Sequence, residues 1–310
     1  MKPTKLYPQR WYDFLLGYFF RAAASNLFPA SWFRDPIPAE KDRKKADGDL
    51  VLEIVSHCWN YGNMLAYQLS SFVNYPPTKL SLIVTVFYSE EDKRTAELIK
   101  FIGKKKVKNV TWNFVALEKP LLFRRGIGRN MASKNSRADW LWFTDCDIIF
   151  HKDCLDTLAD ELQGRQESLL FPRQERTTPM LAEDDPMLQM GSKPQLVDIE
   201  DKDFTLYSRD RAKGAFQIVH GDVARAIGYC DGLSLYQTPS DTWCKCYEDR
   251  AFRWLLGTRG IPVDVPGVYQ IRHIFKGRYK PDSKRAKVRS KIRQVQNEYR
   301  EKQANLDQDE

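Results

Sequence analysis

ADWLWFTDCDIIFHKD, residues 138–153, decides how the chain is read. An apolar run, Trp140 to Thr144, leads into Asp145-Cys146-Asp147, and a second apolar run, Ile148 to Phe150, follows at once. Ionised carboxylates are costly to bury unless something pairs with them. Two of them between two buried-type segments mark either the open end of a strand or a place where a cation meets them.

Upstream the sequence alternates with a regular beat. "LVLEIVSH" (50–57) reads as a strand, and "NMLAYQLSSFVNY" (63–75) has apolar residues at helical spacing. "LSLIVTVFYS" (80–89) is a second strand, "EDKRTAELIKFIG" (91–103) a helix stopped by Gly103, and "NVTWNFVAL" (109–117) a third strand. "RGIGRNMASKNSR" (125–137) predicts a helix starting near Gly128, and "DWLWFTD" (139–145) a fourth strand ending at the carboxylates. Strands alternating with helices imply an α/β domain with one mostly parallel sheet covered on both faces. Such sheets bind ligands outside the carboxyl ends of their strands. Asp145 and Asp147 fall at that edge.

Downstream the beat loosens. "CLDTLADELQG" reads as helix and "SLLFPRQ" as strand, and residues 183–203, with seven acids and two lysines, read as an irregular insertion. "GAFQIVHGDVARAIGY" predicts strand, turn and helix. "YEDRAFRWLLGTRG" is a helix with Glu248 and Asp249 in its first turn, and "IPVDVPGVYQIRH" one late strand ending at His273. The segment "RDPIPAEKDRKKADGD" (34–49) is a charged, Pro-containing linker. The expected organisation is an N-terminal aromatic helical segment and linker (1–49), a catalytic domain (50–275) and a basic helical tail (276–310).

Composition narrows the classes. The chain has 310 residues, 42% of them hydrophobic, which suits a large folded domain and excludes disorder. The net charge of +8 is concentrated: Lys276 to Lys302 holds 11 basic and three acidic residues, 11 − 3 = +8. A nucleic-acid reader would interleave aromatics with such charges, and the tail does so sparsely, so no nucleic acid is expected. The six cysteines form no disulfide framework, and Cys244-x-Cys246 lacks the second ligand pair of a zinc site. No secretory signal is legible at the N-terminus. The apolar piece Phe14 to Phe20 is far short of the ~20 residues of a spanning helix. Three fates fit the aromatic stretch "RWYDFLLGYFFRAAASNLF": a membrane surface, the protein's own core, or a subunit contact in a homodimer. With the basic tail, the first makes a cytoplasmic protein peripheral on the inner face of an anionic membrane.

Asp-x-Asp on a turn offers two carboxylates to a hard divalent cation, and Mg²⁺ or Mn²⁺ commonly bridges a few carboxylates to substrate phosphates. The motif by itself also fits a solvated turn. Its context resembles GT-A fold glycosyltransferases, in particular glycosyltransferase family 2, over residues 50–273. The resemblance rests on "EIVSHCWNYGNML", "GIGRNMASKNSRADWLWFTDCDIIF", "GAFQIVHGDVARAIGYCDG" and "YEDRAFRWLLGTRG", in that order.

That resemblance implies a GT-A fold: a Rossmann-like, mostly parallel central sheet with helices on both faces, flanked here by the N-terminal aromatic helix and the basic C-terminal helix. It implies a donor, a nucleoside-diphosphate sugar such as a UDP-sugar, and Mn²⁺ or Mg²⁺ as cofactor. Asp145 would face the ribose and the metal, and Asp147 would ligate the metal. Arg129 and Asn130 would lie near the diphosphate, and His57 and Trp59 would border the base. Asp249, of Glu248-Asp249, would be the general base, and His273 falls where a further metal ligand can sit. With one base and no nucleophilic carboxylate, the expected reaction is single displacement with inversion onto a hydroxyl of a glycan or lipid-linked acceptor. Each residue also has a plainer reading. Acids in a first helical turn complement the helix dipole, and His273 can be an ordinary surface residue. Trp243 is a candidate sugar platform, while Trp140, Trp142 and Phe143 read as core. Two rival functions stay open: a nucleotidyltransferase acting on a sugar phosphate, and an inactive GT-A domain in polysaccharide assembly.

Overall fold

The computed structural model describes residue 3, residues 5–182, 184–243 and 247–274, and positions 288, 291, 292 and 295. The Cys244-x-Cys246 pair and most of the basic tail expected to be helical lie outside the described residues. The four described tail positions, Val288, Lys291, Ile292 and Val295, are helical and exposed.

The chain opens with α1 (Asp13–Ala22), which runs into one π-helical turn, Ala23–Leu27. Strands and helices then alternate: β1 (Leu50–His57), α2 (Gly62–Asn74), β2 (Leu80–Tyr88), α3 (Lys93–Ile102), β3 (Val110–Ala116), α4 (Lys119–Leu122), α5 (Arg125–Asn135) and β4 (Trp140–Phe143). Shorter pieces follow: β5 (Ile148–Phe150), α6 (Cys154–Leu162), β6 (Leu169–Pro172), β7 (Gln174–Thr177), α7 (Pro186–Met190), β8 (Thr205–Ser208), β9 (Gln217–His220), α8 (Gly221–Ile227), α9 (Glu248–Leu256), β10 (Ile261–Val263) and β11 (Val268–Gln270).

Seven strands form the central sheet in the order β10-β6-β9-β4-β1-β2-β3. The run β4-β1-β2-β3 is parallel, as is the β10-β6 pair, and β9 lies antiparallel between β4 and β6. The mostly parallel α/β sheet is therefore present. Trp140, Trp142 and Phe143 are wholly buried in it, as core.

A second sheet was not legible. Its order is β5-β11-β7-β8. The stretch expected to be one late strand to His273 divides between the two sheets: β10 pairs with β6, and β11 pairs with β5 and β7. Pro266 and Gly267 lie between them, where a strand ladder breaks. The insertion carries a short helix, α7, capped by Asp185. Helix α5 starts at Arg125, a turn earlier than Gly128, because Gly126 and Gly128 are used for close packing inside it.

These two sheets answer the question posed by the carboxylates. The apolar run before them is β4, in the central sheet, and the run after them is β5, in the small one. Both are buried. The turn between them carries Asp145 and Asp147 to a partly exposed ridge where the sheets meet.

At the N-terminus, Phe20 packs on Tyr236 at 6.2 Å between ring centroids, and Phe33 on Trp254 at 5.3 Å. The opposite side of this region faces solvent, with Trp11 83% and Trp32 70% exposed. Residues 34–49 are strapped to the body through Arg43, which donates to the Gln166 carbonyl, and through Lys44, paired with Asp139. Among the described residues, no helix is long and apolar enough to cross a membrane.

Candidate active site

The turn after β4 is held from beneath. Gln68 of α2, wholly buried, donates to the carbonyls of both Asp145 and Ile148 at 2.9 Å. The Ile271 amide donates to the Asp147 carbonyl at 3.0 Å, tying the turn to the end of β11. Two residues further on, His273 is buried with its ring 5.2 Å from that of Tyr61. Asp145, Asp147, His57, His273 and Trp243 thus line one cavity of about 110 Å³. A water occupies about 30 Å³ of liquid. The cavity therefore has room for a cation with a few waters or for a phosphate group. A whole nucleotide sugar would extend beyond it.

One arginine organises the charges. Arg125, the first residue of α5, donates through Nη1 to Asp145 Oδ1 at 2.7 Å, and through Nε to Glu248 Oε1 at 3.0 Å. Its Nη2 also lies 2.9 Å from Glu248. Burial works to lower its pKa, but the carboxylates of Glu248 and Asp145 outweigh that and hold it raised. The guanidinium sits 6.0 Å from the centre of the Trp243 ring. A guanidinium has five N–H donors, so donors remain for a phosphate oxygen. Sequence reasoning missed Arg125. Its signal was available, because Arg125 and Arg129 are four residues apart and share a helix face.

His57 ends β1 and is sandwiched. Its ring stacks on Phe87 at 4.9 Å, and neither ring nitrogen has a hydrogen-bond partner among the described residues. Burial, then the charges of Arg129 and Arg125, push its pKa well below the ordinary histidine value, so the ring is neutral at pH 7. Gly128 closes the sandwich: a Cβ there would lie 2.3 Å from His57 Nε2 and 3.0 Å from Phe87 Cδ2. Gly128→Ala should therefore cost about 1–3 kcal/mol through overpacking. A shift of the urea midpoint with an unchanged m-value would register it, and an unshifted midpoint would mean that the ring moves aside freely.

The other expected site residues fall in different places. Arg129 is wholly buried beneath the cavity and donates to the Tyr229 hydroxyl at 2.8 Å, with Asp145 Oδ1 3.5 Å away. Asn130 is buried too. It bonds Asp231 and the Tyr229 amide and so fixes the 229–237 loop. Trp59 lies outside the cavity, edge-on to Phe123 at 5.2 Å with Lys119 over its ring. Glu248 is linked to the site through Arg125. Asp249 is not among the residues that line the cavity and accepts from the Gly214 amide at 3.3 Å and from Arg253 at 3.4 Å. His151 and His220 serve structure: His151 sits between the rings of Tyr75 and Tyr269, and His220 caps α8.

The donor set fits Mg²⁺ or Mn²⁺ in a particular sense. Among the described residues, no group of three or more His, Cys, Asp or Glu is arranged to hold a metal alone. Two carboxylates beside a small polar cavity are too few for a closed protein cage. They suit a hard cation that takes its remaining oxygens from water and substrate phosphates.

The sequence matches no known family profile, and no curated protein matches it. Several solved structures align with parts of it. Staphylococcus aureus TarS 1-349 aligns at 13% identity over 72% of this chain and 58% of that one, with a TM-score of 0.41. The same protein in complex with UDP-GlcNAc aligns at 16% identity over 44% and 36%, with a TM-score of 0.33. The mannosyltransferase PcManGT from Pyrobaculum calidifontis, in complex with GDP-Man and Mn²⁺, aligns at 12% identity over 85% and 66%, with a TM-score of 0.41. The chain thus spans between 36% and 66% of the length of these neighbours. At such values the likeness says nothing of substrate, and the site's own geometry must carry the chemistry.

Proposed function

We propose that this protein is a metal-dependent glycosyltransferase that moves a sugar from a nucleoside-diphosphate donor to an acceptor hydroxyl with inversion. The observation that carries the reading is the Asp145-Cys146-Asp147 turn: two carboxylates between two sheets, facing one small cavity beside Arg125. A divalent cation held there by Asp147 and Asp145, with His273 at its edge, would neutralise the departing diphosphate. Arg125 adds a positive charge aimed at the same place, and its pairs with Glu248 and Asp145 fix it without reorganisation. Trp243 offers an aromatic face to the sugar. The sequence resemblance to glycosyltransferase family 2 supports the same assignment, and a UDP-sugar is the donor it favours.

Asp249 is the better base of the acidic pair. Glu248 is buried and committed to Arg125, whereas Asp249 is partly exposed and keeps its contacts at 3.3–3.4 Å. Asp249→Asn should lower kcat by about 10²-fold or more with donor binding little changed. Glu248→Gln should cost less in kcat and more in stability. The opposite ranking would move the base to Glu248. A panel of nucleotide sugars, scanned by thermal shift with and without Mn²⁺, would identify the donor, since a ligand of the native state raises its stability. Retained anomeric configuration in the product would overturn inversion.

Membrane docking fits the exposed aromatic surface and the basic tail. Trp11, Phe14, Tyr18 and Trp32 are exposed on the N-terminal region, and Val288, Ile292 and Val295 fall four and three residues apart on the basic tail. Aromatic residues prefer the membrane interface, and each basic residue near an anionic surface adds about 1 kcal/mol. The full-length protein should co-sediment with vesicles containing phosphatidylglycerol at low salt and release as salt screens the charges. Trp11→Ala with Phe14→Ala should weaken binding, as should removal of residues 284–310. Failure to co-sediment at low ionic strength would assign the aromatic face to a subunit contact.

A further inference from the structure

A second cavity, of about 480 Å³, lies at the carboxyl end of α9. It is roomier than the carboxylate cavity, and its walls have the opposite charge. Arg211, Arg250, Arg253 and Arg259 line it, together with Trp254 and Thr258. Their charges are only partly offset by carboxylates, with solvent reaching Arg211 and Arg259. Asp210 accepts from Arg211 Nε at 2.8 Å and Arg259 Nη2 at 3.1 Å, and Lys213 Nζ lies 2.9 Å away. Arg253 shares Asp249 at 3.4 Å. Leaving Arg250 aside, four cations are thus served by two carboxylates. The helix C-terminus accounts for only about half a negative charge more. Arg250 donates to the Ala24 carbonyl and Arg253 Nη1 to the Ala212 carbonyl at 2.6 Å, so packing explains those two but not the convergence of Arg211 and Arg259.

We propose that this cavity binds a phosphate group, and that it anchors a phosphate-bearing acceptor. The second half of that statement rests on the transferase reading above. Arginine forks match phosphate oxygens bidentately, and several around one cavity select a dianion over a carboxylate. The Thr258 hydroxyl accepts from the Gly260 amide at 3.0 Å, which orients its own proton away from that amide. Trp254, fixed by Phe33 and by a bond from its Nε1 to the Phe28 carbonyl at 3.1 Å, gives the cavity one apolar wall. Arg253 connects this cavity to Asp249, and on the other side of the same helical turn Glu248 meets Arg125. An acceptor anchored by its phosphate among the arginines would therefore lead past Asp249 toward the carboxylate turn. The phosphate could belong to a lipid headgroup or to a soluble phosphorylated glycan.

The test uses the full-length protein in metal-free buffer. Calorimetry with sn-glycerol 3-phosphate probes the soluble source, and vesicles of phosphatidylcholine with or without phosphatidic acid probe the lipid source. The proposal expects saturable binding in at least one arm, weakened at least tenfold by Arg211→Gln with Arg259→Gln. A control of equal charge loss on a remote loop, Lys104→Gln with Lys108→Gln, should bind as wild type does. Binding of glycerol phosphate points to a soluble acceptor, and binding of phosphatidic acid vesicles alone points to a lipid. Absence of binding in both arms, or equal loss in the control, would overturn the proposal. If Mn²⁺-dependent nucleoside diphosphate binding is absent while phosphate binding persists, the transferase reading fails and the anion site stands.

Discussion

Asp147→Ala should abolish transfer, lowering kcat by about 10³-fold or more, while the protein stays folded. A cation at a departing diphosphate supplies several kcal/mol, and each ~1.4 kcal/mol is tenfold in rate. The fold should survive because the turn is fixed through its backbone: Gln68 holds the Asp145 and Ile148 carbonyls, and the Ile271 amide holds the Asp147 carbonyl. The Asp147 carboxylate itself meets Gln270 at 3.5 Å. Circular dichroism and the melting temperature should be close to wild type. Activity within a few-fold of wild type would remove Asp147 from the reaction.

Arg125→Met should have the largest effect on stability. It leaves Glu248 buried without its partner, and Glu248 is only 3% exposed. Breaking a buried ion pair from one side costs about 3–5 kcal/mol. The low end applies here, because the Arg125 side chain retains 17% exposure and water can reach the gap. For a chain of this size that corresponds to a fall in Tm of about 4–5 °C. Adding Glu248→Gln to Arg125→Met removes the stranded charge, so the double variant should recover part of the loss. Equal melting temperatures for wild type and Arg125→Met would show that the pair is solvated in practice. The same variant should bind a nucleoside diphosphate more weakly, since it removes a cation from the cavity wall.

Much of the fold was legible because its first half obeys local rules. The strands from Leu50 to Phe143 are continuous β-branched and aromatic runs, and the helices between them have apolar faces at helical spacing. The carboxylate turn was legible for the same reason: two charges cannot interrupt two buried runs without meaning. The small sheet was not. Its strands are three or four residues long, and β5 pairs with β11 more than a hundred residues away. Nothing local in Ile148–Phe150 says that it joins a different sheet from β4. The arginines were harder still. Arg125 and Arg129 share one helix face, and only the packing of α5 decides that Arg129 goes under the cavity while Arg125 reaches it. His57 is a similar case. Its burial depends on a missing Cβ at Gly128, seventy-one residues on.

The central claim is that the Asp145-Cys146-Asp147 turn holds a divalent cation together with a nucleoside diphosphate. Electron paramagnetic resonance of free Mn²⁺, titrated with the protein in the presence and absence of UDP or GDP, measures this directly. The account predicts uptake of one Mn²⁺ per chain that depends on the nucleotide and is lost in Asp147→Ala. No nucleotide-dependent uptake by the wild type, or equal uptake by the variant, would contradict it.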